Sequence, residues 1–200
     1  MPCEKPSKRD QILRTAWRLF ESQGYHATGI NQIIKESGVP KGSFYHYFPG
    51  GKEGLAVEAI EAISEGMARM VDHFCADESD PVVAMTGMIR DIASRLEKTD
   101  YREGGPLTTV ALETATSNER INDACQKAYN RLHEALVNQL AAGGLPDAAA
   151  RELGTTIISG LEGGILLSRT FHSIEPMEQI ARQIEVTILA ATNQGRERVT

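Results

Sequence analysis

The stretch VPKGSFYHYFPGGKEGL, residues 39–55, decides how the rest of the chain is read. Phe44 and Phe48 stand four apart, so on a helix they share one face and can turn inward together. Lys41, Gly42, Ser43, Tyr45, His46 and Tyr47 are then left largely outward. Pro40 suits the first turn of such a helix, where its missing N–H is no loss. Gly38 just before it suits the end of a preceding helix, because a left-handed backbone costs glycine nothing. A core helix excludes the lysine, and an ordinary solvated surface does not gather so many rings.

A DNA duplex is a surface that accepts this set. A helix N-terminus in the major groove brings unpaired N–H groups and Lys41 near phosphates and guanine edges. Gly42 lets the backbone come close, and Ser43 can bond a base or a phosphate. Tyr45 and Tyr47 offer a flat ring to a thymine methyl or a sugar and a hydroxyl to a phosphate. His46 adds a phosphate contact, and Lys52 at the start of the following helix adds another, as does the backbone at Thr28 and Gly29.

Working upstream, a first helix is predicted to be capped by Ser7, with Asp10 three residues on, and to stop at Gly24. Ile12, Leu13, Ala16, Leu19 and Phe20 form its apolar stripe. Thr28 is expected to cap a short second helix in which Ile30, Ile33 and Ile34 point inward. Two short helices joined through Gly38 make a helix-turn-helix. Charge supports the same division. Residues 1–52 hold eight Lys/Arg against four Asp/Glu, net +4, which leaves −10 on the remainder of a chain of net charge −6. A basic head on an acidic body suits a head that meets a polyanion.

The run ILRTAWRLFESQGYHATGINQIIKESGVPKGSFYHYF, followed by GGKEGL, resembles the TetR family of transcriptional regulators over about 45 residues. The resemblance implies three N-terminal DNA-binding helices and a larger helical C-terminal domain that binds a small ligand and forms the dimer. FPGGKE at 48–53 and GGPLTTVALETA at 104–115 further resemble a branch that includes lincomycin-resistance repressors. Many members of that branch carry a cysteine just before the proline, where this chain has Gly105.

The fold class expected is therefore all-α, with nine helices in two domains: residues 1–51 as the DNA-binding head and 52–200 as the ligand-binding and dimerisation body. Body helices are predicted at about 52–75, 81–98, 106–117, 119–142, 147–171 and 175–193, broken at ADESDP, TDYREGGP, AGGLPD and HSIEP. The segment GTTIISGLEGGILLSR (154–169) carries four glycines, each costing roughly 1 kcal/mol against alanine in a helix. Gly160 and Gly164, four apart, would admit a second backbone. Flanked by Ile157, Leu161 and Ile165, and joined by Ile180, Ile184 and Ile188 of the last helix, they form the expected homodimer interface. The alternative is that the glycines make room for packing within the chain or for a ligand. Candidate ligand contacts are Met67, Phe74, Met88, Ile92, Leu107, Val110, Tyr129 and Leu166, with Thr109, Glu113 and His133 as polar partners. Plain core is the competing reading of the apolar ones.

Several function classes find no support. The GGK at 50–52 is not a phosphate loop, because His46 and Glu53 occupy the places of its first glycine and its hydroxyl. There is no G-x-S-x-G, H-E-x-x-H or C-x-x-C, and the five histidines lie far apart. No enzyme, cofactor or metal is expected. Cys3, Cys75 and Cys125 form neither a disulfide framework nor a ligand pattern, and no apolar run of membrane length occurs, which suits a cytoplasmic protein. The partners expected are double-stranded DNA with a palindromic operator, a small-molecule effector and a second copy of the chain, with no membrane. The function expected is a ligand-responsive repressor. A small-molecule binding protein, an activator and a ligandless DNA-binding protein stay open on the same fold.

Overall fold

A computed structural model describes residues 7–76, 80–102 and 105–197. Cys3 and parts of the ADESDP and TDYREGGP breaks lie outside them. Among the described residues the chain forms nine helices and no strand. They are α1 (Lys8–Gln23), α2 (Ile30–Ser37), α3 (Lys41–Tyr47), α4 (Gly51–Ala76), α5 (Pro81–Lys98), α6 (Pro106–Thr114), α7 (Glu119–Ala142), α8 (Asp147–Phe171) and α9 (Glu175–Glu197).

Most boundaries follow from the caps that the sequence suggests. Ser7 Oγ accepts the Asp10 N–H at 3.1 Å and opens α1, and Gly24, at φ 87°, ends it. Gly38, at φ 68°, ends α2 in the left-handed region. Two expectations need correction. The N-cap of α2 is Gly29 rather than Thr28, whose buried hydroxyl donates to the Gly24 carbonyl at 2.7 Å. Helix α6 stops at Thr114, three residues short of 117. The Ser117 and Asn118 N–H groups fold back onto the Thr114 carbonyl there, and Asn118 Oδ1 then accepts the Ile121 N–H at 2.9 Å to start α7.

The chain divides into two compact units. One takes the chain up to Ile63 together with Pro106–Ala128, and the other takes Ser64–Gly105 and everything from Tyr129. The boundary expected at 51/52 thus falls inside α4, and α6 and the start of α7 join the unit that contains α1–α3. In that unit α1 packs on α2, α3 and α6. Its buried side chains include Ile12, Phe20, Ile33, Phe44, Phe48 and Leu55. Cys125 lies in the same unit, where burial pushes its thiol up to about 11.

In the second unit α5 and α8 both pack on α9, around Val71, Met85, Met88, Ile89, Leu96, Leu136, Ile157 and Ile188. Here the glycines of α8 are explained. A Cβ on Gly160 would meet Ile180 Cγ2 at 3.0 Å, and one on Gly164 would meet Met177 Sδ at 2.8 Å. Both glycines serve packing of α8 against α9 of the same chain, the alternative weighed above. The expected dimer set of Ile157, Gly160, Leu161, Gly164, Ile165, Ile180, Ile184 and Ile188 is corrected accordingly, because these side chains are buried or half-buried inside the chain. Gly160→Leu is therefore expected to destabilise the fold by roughly 1–3 kcal/mol through overpacking. Thermal unfolding checks this, and an unchanged midpoint would contradict it.

Candidate nucleic-acid interface

Helix α3 is short, and its two faces differ sharply. Phe44 and Phe48 are 0% and 1% exposed and their rings meet at 5.9 Å, whereas Tyr45 is 46% exposed. Each of the two phenylalanines stabilises the head by roughly 1.5–3 kcal/mol on burial, which fixes how α3 is turned about its axis. Lys41, Gly42 and His46 are exposed together with Tyr45, while Ser43 and Tyr47 are half-buried. A Cβ on Gly42 would meet nothing within 4 Å, so the helix presents open backbone at that point. His46 and Tyr47 stand edge to face at 5.1 Å, which orders the end of the same surface.

The turn before α2 is organised differently from expectation. Lys52, read from sequence as a phosphate clamp, points into the head. Its Nζ donates to the Tyr25 carbonyl at 3.0 Å and the Thr28 carbonyl at 2.9 Å, and it sits 4.3 Å from the centre of the Tyr25 ring. Desolvation holds its pKa below the usual lysine value, and the Glu113 carboxylate partly offsets that. Burial likewise pushes the Tyr25 phenol up, with the Glu53 charge adding to it. Thr28 is corrected as well. Its N–H donates to the Tyr25 carbonyl at 3.2 Å, its hydroxyl also accepts from Gln23 Nε2 at 3.2 Å, and its carbonyl holds Lys52. Gly29 stays exposed at the N-cap of α2.

On the outer side of α1 and α2, Arg18 is paired with Glu36 at 2.6 Å. The hydrogen bond from Gln32 to Glu36, at 2.9 Å, together with this ion pair, holds the Glu36 carboxyl below the usual range. This network joins α1 to α2 and was missed in sequence, since nothing local links positions 18 and 36.

The expected ligand contacts are divided between the two compact units. Leu107, Thr109, Val110 and Glu113 belong to the unit with the head, and Met67, Phe74, Met88, Ile92, Tyr129, His133 and Leu166 to the other. Five of them are otherwise placed. Glu113 Oε2 accepts the His26 backbone N–H at 2.8 Å. His133 Nε2 is 3.0 Å from the Arg151 carbonyl and 3.2 Å from Thr155 Oγ1. Leu166 is 65% exposed, so it lines no interior of this chain. Tyr129 donates its hydroxyl to Glu162 at 2.9 Å, while Met88 lies in the core of the second unit. In the same unit, His172 caps α8 in the left-handed region with its ring 5.4 Å from Tyr101.

Known proteins resemble the chain in sequence and in fold. Residues 12–59 match the family described as bacterial regulatory proteins of the tetR family. Residues 81–183 match the LmrA/YxaF-like C-terminal domain of transcriptional regulators. The chain is 42% identical over 180 residues to the uncharacterised HTH-type transcriptional regulator YxaF of Bacillus subtilis, covering 90% of this chain and 94% of that protein. It is 38% identical over 173 residues to the HTH-type transcriptional regulator LmrA of the same organism, covering 86% and 92%. A TetR transcriptional regulator from Legionella pneumophila, 21% identical, superposes with a TM-score of 0.84 over 92% of this chain and 99% of that one, a likeness of fold. With a head that turns Lys41 and Tyr45 outward and with relatives alike along nearly their whole length, the chain belongs to the TetR family of DNA-binding transcriptional regulators, with an LmrA/YxaF-like C-terminal domain.

Proposed function

We propose that the chain acts in the cytoplasm as a homodimeric, effector-responsive repressor. It would hold a palindromic operator until a small molecule binds its C-terminal domain. The observation that carries the reading is the split character of α3, with Lys41, Gly42, Tyr45 and His46 exposed opposite buried Phe44 and Phe48. Such a helix can enter the major groove without disturbing the core that holds it. Ser43 and Tyr47 complete the contact surface from its margin. Lys52 and Thr28 shape the turn and leave the phosphates to other groups.

The dimer is supported by exposed apolar side chains of α8 and α9 that lie outside the set expected in sequence. Leu166 and Phe171 of α8 are 65% and 64% exposed, and Val186 of α9 is 60% exposed. Leu167 and Leu189 extend the same apolar character, and a Cβ on Gly163 would meet nothing within 4 Å. Large apolar side chains gathered at this exposure on two successive helices are what an interaction site would use. A second copy is the occupant that a palindromic operator calls for, since two heads must be held at a fixed spacing. An effector changes that spacing only through its differential affinity for two arrangements.

Selection of bound fragments from random duplexes tests the proposal. The expected product is an inverted repeat whose half-sites lie about one helical turn, roughly 34 Å, apart. Recovery of single half-sites, or of no common sequence, would contradict it.

A further inference from the structure

The matched C-terminal domain spans residues 81–183 and so includes α6, yet α6 belongs to the compact unit that contains the head. One of its side chains enters the head's own turn. Glu113 Oε2 accepts the His26 N–H at 2.8 Å, and the Glu113 carbonyl lies 3.2 Å from His26 Nε2, across 87 residues of sequence. The approach is close enough that a Cβ on Gly24 would collide with Glu113 Oε1. Gly24, at φ 87°, therefore meets two demands, a left-handed backbone and room for the carboxylate. From the other side Lys52 Nζ holds the Tyr25 and Thr28 carbonyls. The turn from Gly24 to Thr28 is thus gripped by a carboxylate on an N–H and by an ammonium on two carbonyls, and the two charges support each other. Helix α2 begins two residues later, at Ile30, and α3 follows it.

We propose that Glu113 is a positioning residue for DNA binding: its carboxylate latches the α1–α2 turn to α6 and so fixes where α2 and α3 stand. Without the latch the turn gains conformational freedom that must be removed again when the head docks. A hydrogen bond to a charged group is worth enough that its loss should weaken operator binding by roughly tenfold.

The test compares wild type with Glu113→Ala and Glu113→Gln in the full-length protein. The duplex is the one recovered by selection, and binding is read by fluorescence anisotropy. Amide hydrogen exchange at His26 reads the latch itself. Glu113→Ala should speed His26 exchange and weaken operator binding, while exchange across α9 stays as in wild type. Glu113→Gln keeps an oxygen that can accept the N–H, so it should restore much of both. Thermal melts separate a lost fold from a lost latch, and the near-isosteric Glu113→Gln keeps the question open to measurement if the alanine variant fails to fold. Unchanged His26 exchange in Glu113→Ala, or faster exchange with operator affinity unchanged or tighter, would overturn the proposal. Failure of the α3 reading would show elsewhere, in Lys41→Ala, and would leave the His26 measurement interpretable.

Discussion

Lys41→Ala is expected to weaken operator binding by roughly thirtyfold or more, with Tyr45→Ala close behind, and with no change in the thermal midpoint of Lys41→Ala. The magnitude follows from contact energies and symmetry. A good contact to a base edge is worth about 1–3 kcal/mol, and a two-fold assembly loses each contact twice. The unchanged midpoint of Lys41→Ala follows from its exposure, whereas the Tyr45 ring stands edge to face with Phe44 at 5.2 Å, so Tyr45→Ala should also lose the roughly 0.5–1.5 kcal/mol of stability that such a pair contributes. Anisotropy titrations at one fixed salt concentration would measure the effect. Binding within twofold of wild type for both variants would mean that α3 does not touch the duplex.

Leu166→Glu combined with Val186→Glu should yield a monomer in sedimentation and, at the same protein concentration, lose nearly all operator binding. Both side chains are well exposed in the single chain, so the carboxylates are accepted at little cost to the fold. In a desolvated interface each carboxylate would be an unpaired charge, which costs several kcal/mol and is met twice over by symmetry. A monomer can then engage only one half-site, and the gain from linking two heads disappears. An intact dimer would move the interface elsewhere. Gly160→Leu acts first at the contact with Ile180 of the same chain, so it reports on folding.

The fold was legible because its signals are local. Ser7 with Asp10, Gly24, Gly38 and the proline-bearing breaks punctuate the helices, and the apolar spacing fills them. The outward set on α3 was legible for a similar reason: Phe44 and Phe48, four apart, leave only one way to turn the helix. What sequence could not supply was pairing over distance. Glu113 looked like a ligand contact because nothing within α6 points to His26, 87 positions away. Lys52 looked like a phosphate contact because its two acceptors are backbone carbonyls, which carry no residue identity. On α8 the small-residue stripe at Gly160 and Gly164 was correctly read as a close helix approach and given the wrong partner. Intrachain and interchain packing place the same demands on a helix, and only Ile180 and Met177 in contact distinguish them.

The most direct test of the central claim, that α3 presents Lys41 and its neighbours to duplex DNA, is the salt dependence of operator binding in wild type and Lys41→Ala. Each neutralised phosphate contributes about 0.9 to the slope of log K against log salt. Removing Lys41 from both heads should therefore lower the slope by about two. Parallel lines of equal slope and equal intercept would show that the lysine meets no phosphate and would contradict the account.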